Sequence, residues 1–143
     1  MRTYIPKAAE LAPKWYLVDA QGRTLGRIAA QVASLLRGKQ NPRFTPFLAT
    51  GEHVIVINAA KLKVTGRKME DKQYHHFTGY PGGLKTRQMQ TRFAAQPDAV
   101  LRDAIVGMLP KTTLGKHLAR NLRVYRDERH PHFAQQPEPV SWD

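Results

Sequence analysis

Residues 15–58 run WYLVDAQGRTLGRIAAQVASLLRGKQNPRFTPFLATGEHVIVIN. Trp15-Tyr16-Leu17-Val18 is aromatic and β-branched and ends at Asp19, the pattern of a short buried strand. Asp19-Ala20-Gln21-Gly22 reads as a turn. Apolar residues then recur at Leu25, Ile28, Ala29, Val32, Leu35 and Leu36, the spacing of one helix face, with Thr24 placed to cap the helix and Gly38 to stop it. A loop over 39–52 holds Pro42, Pro46 and Gly51. His53-Val54-Ile55-Val56-Ile57-Asn58 follows, and its four consecutive β-branched aliphatics suit a strand buried on both faces of a parallel sheet. Strand, helix and strand at this spacing predict a right-handed βαβ unit.

Upstream, residues 1–14 contain Pro6 and Pro13 and no periodicity, which predicts an extended N-terminal arm. Downstream, Leu62-Lys63-Val64 reads as a further short strand. Residues 67–96 form a polar, basic loop around Gly79-Tyr80-Pro81-Gly82-Gly83, long enough to be functional. Pro97-Asp98 opens a second helix with Leu101, Ala104, Ile105 and Met108 on one face and Pro110 as its stop. A helical turn over 114–119 and a last strand, Leu122-Arg123-Val124-Tyr125, come next. Residues 133–143, with Pro137 and Pro139, read as an extended tail. The expected fold is α/β: three layers around a small, mostly parallel sheet, with long basic loops and extended termini. At 143 residues, 1–143 makes a single domain of ordinary size.

The composition bounds the chemistry. Hydrophobic residues make up 41% and charged residues 24%, a mixture that folds. There is no cysteine, which excludes a disulfide scaffold, a thiolate zinc site and a cysteine nucleophile. Apolar runs stop at four residues, as in Trp15–Val18 and Val54–Ile57, where a membrane helix needs ~20. The first residues, MRTYIPK, carry no signal-peptide core behind their charge. A soluble, intracellular protein is expected. Its charge is the unusual quantity: 23 Lys and Arg against 11 Asp and Glu, net +12. Residues 61–92 hold 8 basic and 2 acidic side chains, and residues 111–132 hold 6 and 2. Such lopsided charge calls for a polyanion, and nucleic acid is the default.

Enzymatic readings lack their residues. Gly22-Arg23-Thr24-Leu25-Gly26-Arg27 lies where a dinucleotide loop would, but lacks the middle glycine of G-x-G-x-x-G. No Walker loop, nucleophile–base pairing or paired-carboxylate site can be assembled, so no cofactor and no small-molecule substrate are expected. His75-His76 and His130-Pro131-His132 lack the thiolates or carboxylates that structural metal sites recruit. In a cationic setting these imidazoles read as groups that stack on bases or donate to phosphates. Arg23 and Arg27 flank a helix start, where a phosphate sits well. Lys61, Lys63, Arg67, Lys68 and Lys72 precede the glycine loop; Lys85, Arg87 and Arg92 follow it; Tyr74, Phe77 and Tyr80 are interleaved. Lys111, Lys116, Arg120, Arg123 and Arg126 repeat the pattern beside Tyr125. Cations that neutralise phosphates among rings that stack on unpaired bases point to structured RNA. DNA fits less well, for want of a recognition helix.

Several strings in order carry a family resemblance: Trp15-Tyr16-Leu17-Val18-Asp19-Ala20, Leu25-Gly26-Arg27, Gly79–Gly83, Gly107-Met108-Leu109-Pro110-Lys111, Leu114-Gly115-Lys116, Val124-Tyr125 and His130-Pro131-His132-Phe133-Ala134-Gln135-Gln136-Pro137. The chain resembles, over nearly its whole length, the bacterial form of the large ribosomal subunit protein thirteen family. The resemblance implies an α/β/α fold around a four-stranded parallel sheet and no catalytic activity. It also implies binding to large-subunit ribosomal RNA beside neighbouring ribosomal proteins, early in subunit assembly and in the cytoplasm. Lys116 stands where the family often has arginine, and His75-His76-Phe77-Thr78 departs from its commoner His-Ser pair. A messenger RNA bound in autoregulation would use the same surface.

Overall fold

The computed structural model describes residues 3–142; Met1 and Arg2 of the arm and Asp143 of the tail lie outside the described residues. In chain order the elements are β1 (Trp15–Asp19), α1 (Leu25–Arg37), β2 (His53–Ile57), α2 (Lys68–Asp71), β3 (Gln73–Phe77), β4 (Leu84–Gln88), α3 (Met89–Ala95), α4 (Pro97–Gly107), α5 (Thr113–Arg120), β5 (Leu122–Val124) and β6 (Glu138–Val140). Short 3-10 turns occupy Ala8–Glu10 and Ala59–Lys61. β1 and β2 pair in parallel from Trp15↔His53 to Asp19↔Ile57, with α1 as the crossover. β5 adds beside β2 and β6 beside β1, giving a four-stranded parallel sheet of order β5-β2-β1-β6. The α/β architecture matches the expectation.

The register sorts side chains between two faces. Tyr16, Val18, Val54, Val56, Leu122 and Val124 share the face that packs against α1, α4 and α5 through Ile28, Val32, Leu36, Leu101, Ile105 and Leu118. Val54, Ile55 and Val56 are all fully buried, as a central parallel strand requires. Each such side chain contributes roughly 1.5–3 kcal/mol. Trp15, His53 and Ile55 lie on the opposite face, where His132 of the return connection 125–137 stacks on Trp15. That connection runs in turns and bends. Helix α1 ends on Gly38 in the left-handed region (φ 79°), whose N–H reaches the carbonyls of Ser34 and Leu35, a glycine-dependent stop. Buried Asn58, also left-handed, donates from its amide to Asp19 Oδ1 at 2.9 Å and ties the ends of β1 and β2 together.

Several expectations need correction. Residues 133–143 are not simply an extended tail, because Glu138–Val140 forms the outer strand β6. Pro139 hides it from pattern reading, yet a proline without an N–H is tolerated on an edge strand. Residues 67–96 are not a loop: they hold α2, the antiparallel hairpin β3–β4, and α3. The hairpin projects with both faces largely exposed, so no apolar alternation marks it. Among the described residues Leu62–Val64 makes one isolated bridge, Lys63 to Thr24. Helix α4 buries Pro97, Val100, Leu101 and Ile105 and ends at Gly107, leaving Met108 exposed. The turn over 114–119 is an eight-residue helix, α5, capped by the Thr112 hydroxyl accepting from the Gly115 N–H. The arm carries the Ala8–Glu10 turn.

Close backbone approach at α5 makes a test. A β-carbon at Gly115 would lie 1.7 Å from the Pro110 carbonyl oxygen, whereas one at Gly26 in α1 meets nothing within 4 Å. Gly115→Ala is expected to destabilise by about 1–3 kcal/mol through forced displacement. Gly26→Ala is expected to stabilise by about 0.5–1 kcal/mol through helix propensity. Urea denaturation of the two variants reads both signs; an unchanged midpoint for Gly115→Ala would contradict the packing.

Candidate nucleic-acid interface

Alternation along the hairpin separates its side chains. Tyr74↔Arg87 and His76↔Lys85 are facing pairs in one register set, and Gln73↔Gln88, His75↔Thr86 and Phe77↔Leu84 form the other. His75 Nδ1 lies 3.0 Å from Thr86 Oγ1. The glycine string is the hairpin tip. Gly79 (φ 91°) and Gly82 (φ 72°) take left-handed backbone that let the chain reverse, and the tip exposes Phe77, Tyr80 and Leu84. A lone two-stranded hairpin is marginal in water. This one is held at its base by Tyr74, which packs on the core, and by fully buried Met89 just after β4. Arg92 of α3 lies over the Tyr74 ring at 4.5 Å and pairs with Asp103 of α4. Lys72 Nζ lies 5.5 Å from the same ring. Burial pushes the Tyr74 phenol above its usual range. Between hairpin and α4 opens a cavity of about 450 Å³.

A second group forms around the start of α1. The Gly22 N–H donates to the Lys61 carbonyl at 3.0 Å, the Leu25 N–H to Lys63 at 3.0 Å, and the Lys63 N–H to Arg23 at 2.9 Å. These bonds bring Arg23, Arg27, Lys61 and Lys63 into one neighbourhood, and Thr24 and Gly26 share a cavity with Lys68 and Lys72. Arg27, Lys61, Lys63, Arg67, Lys68 and Lys72 are exposed. Arg23 is half-buried and donates to the Trp142 carbonyl, fixing the end of the tail. The third group lies on α5 and after it: Lys111, Lys116, Arg120 and Arg126 are exposed. Arg123 is half-buried instead, with its guanidinium on the carbonyls of Arg120 and Leu122.

The two histidine pairs are not brought together. His75 and His76 are exposed on the hairpin. His130 is buried and stacks on Phe133 at 4.6 Å. His132 stacks on Trp15 at 5.6 Å with Nε2 2.6 Å from the Tyr125 hydroxyl, and Trp15 stacks on His53 at 4.5 Å on the sheet. This ring stack ties the connection 125–137 to the sheet at Trp15. Burial first, and the Arg123 charge second, hold both His53 and His132 below the usual imidazole range; Glu52 partly opposes this at His53, and His130 reinforces it at His132. Among the described residues no three His, Asp or Glu side chains gather to hold a metal, and no helix is long and apolar enough to cross a membrane. Sequence reading missed Asp103 and Gln96, which line the hairpin cavity. They lie on and beside α4, separated from β4 by α3, and nothing local marks them.

The profile of the ribosomal protein L13 family matches residues 13–131. The chain is 54% identical over 141 residues to the large ribosomal subunit protein uL13 of Koribacter versatilis, covering 99% of each chain. It is 53% identical over 140 residues to the protein of that name from Coxiella burnetii, and 51% identical over 140 residues to that from Thermus thermophilus; each match spans 98% of this chain and 99% of the relative.

The ring stack has a pH consequence. Imidazoles held below their unfolded value of about 6.5 favour the neutral ring in the folded state. Their contribution is complete above that value and declines as pH falls through and below it. The urea midpoint is therefore expected to drop between pH 7.5 and pH 5. The paired substitution His53→Gln with His132→Gln should shrink that drop. An identical drop in the variant would contradict a neutral stack.

Proposed function

The chain belongs to the ribosomal protein L13 family, and on that premise we propose how it works as a protein of the large ribosomal subunit. It is no enzyme; its work is to bind large-subunit ribosomal RNA and to hold RNA segments together early in assembly, beside neighbouring ribosomal proteins. The observation that carries this reading is the set of exposed cations that, among the described residues, form no ion pair within their own chain. Among the described residues only Lys14–Glu138 and Arg92–Asp103 form side-chain ion pairs, against a net charge of +12.

The cations are arranged in three bodies fixed by one core. Lys85 and Arg87 project on the hairpin with His75, His76 and Tyr80. Arg27, Lys61, Lys63, Arg67, Lys68 and Lys72 surround the start of α1 and the segment leading to β3. Lys111, Lys116, Arg120 and Arg126 line α5 and its flanks. Rigid spacing between such bodies lets one protein neutralise phosphates on separate RNA segments that would otherwise repel. Arg23, Arg123, His130 and His132 support these bodies from within the fold. A messenger RNA segment of similar shape would engage the same surface, which is the route to autoregulation.

Filter binding to large-subunit RNA fragments over a salt series tests the reading. About six phosphate contacts predict a slope of log K against log salt near −5. Lys85→Glu with Arg87→Glu is expected to weaken binding about tenfold or more and to flatten the slope by about 2. Substituting Gln135 and Gln136 by Glu in the tail should change neither appreciably. A slope near zero for the natural protein would overturn phosphate neutralisation.

A further inference from the structure

We infer that the cavity between the β3–β4 hairpin and α4 receives a single unpaired nucleotide of the bound RNA and reads its base; this rests on the RNA-binding reading above. A cation that only neutralises a phosphate needs no concavity. This cavity holds about 450 Å³, within the range of small-ligand pockets.

Its walls differ in chemistry. Lys85 and Arg87 supply positive charge from the hairpin, while Asp103 and Gln96 face them from α4 and the residue before it. A carboxylate repels phosphate and would weaken a surface built for backbone contact alone. It does accept N–H donors from a base, and an amide both donates and accepts. Asp103 uses Oδ2 for Arg92, and among the described residues no protein donor bonds Oδ1. Its side chain remains 51% exposed and open to a ligand. Flat groups for stacking are also present: the Arg92 guanidinium over Tyr74, the His76 ring and the Arg87 guanidinium, all surfaces on which unstacked RNA bases are held.

The polarity of the walls orients the ligand. The base enters toward Asp103 and Gln96, and its flanking phosphates stay with Lys85 and Arg87. Asp103 favours adenine, cytosine or guanine, each with an exocyclic amine to donate. Uracil's one Watson–Crick donor, N3–H, lies between two carbonyl oxygens that repel a carboxylate, so uracil is disfavoured.

The test uses the full chain and five short RNA hairpins at one salt concentration: one fully paired, and four with a single bulged A, C, G or U. The natural protein is expected to bind the bulged A, C and G forms about tenfold tighter than the bulged U and paired forms, the scale of one good base contact. Asp103→Ala is expected to erase that ranking by weakening the amine-bearing bulges. Gln96→Ala, which breaks no ion pair, should reduce the ranking without disturbing Arg92. Equal binding of all five RNAs by the natural protein would overturn the pocket, as would Asp103→Ala tightening all five alike, and either result leaves salt-dependent RNA binding in place. Absence of salt-dependent binding to every RNA would remove the underlying reading as well.

Discussion

A net charge of +12 on 143 residues is the constraint that shapes this molecule. Like charges repel, and the chain closes few ion pairs of its own among the described residues. The fold therefore has to be secured without help from surface charge. It is secured by an interior that admits almost no polarity: among the described residues the buried polar side chains are Thr50, Asn58 and His130. The cations are sent outward onto the hairpin, the turn before α1, and α5. Self-repulsion on this scale is what an external polyanion would relieve, and because screening at physiological salt acts over only about 8 Å, the proposed RNA phosphates would have to come close to do so.

The outward placement works because the few central elements are tied tightly. The β1–β2 ladder puts Val18, Val54 and Val56 against α1 and α4. On the other face the rings of His53, Trp15 and His132 clamp the connection from β5 to β6. The hairpin draws on this core through Tyr74 and Met89. Its exposed residues can then carry charge and open backbone without unravelling.

The core was legible in the sequence because it obeys simple periods. Leu25 to Leu36 repeat at helical spacing, Val54 to Ile57 form an unbroken β-branched run, and Gly38 marks the stop; all three appear where expected. The periphery was less legible for physical reasons. β3 and β4 bury almost nothing, so Gln73–Phe77 and Leu84–Gln88 show no two-residue alternation. β6 is three residues long with a central proline, and its strand character comes from pairing with β1 rather than from propensity. The cations were visible as residues, but their partners were not. Only the folded chain shows Arg23 and Arg123 turned onto carbonyls, His130 buried, and Asp103 brought opposite Lys85 and Arg87.

Lysine labelling measures the central claim most directly. Acetylation rates of individual lysines can be mapped by mass spectrometry on the free protein and on the same protein within assembled large subunits. The arrangement described here predicts that Lys61, Lys63, Lys68, Lys72, Lys85, Lys111 and Lys116, all exposed in the free chain, become strongly protected in the subunit. Equal labelling of these lysines in both states would show that their charge faces solvent rather than RNA, and would contradict the account.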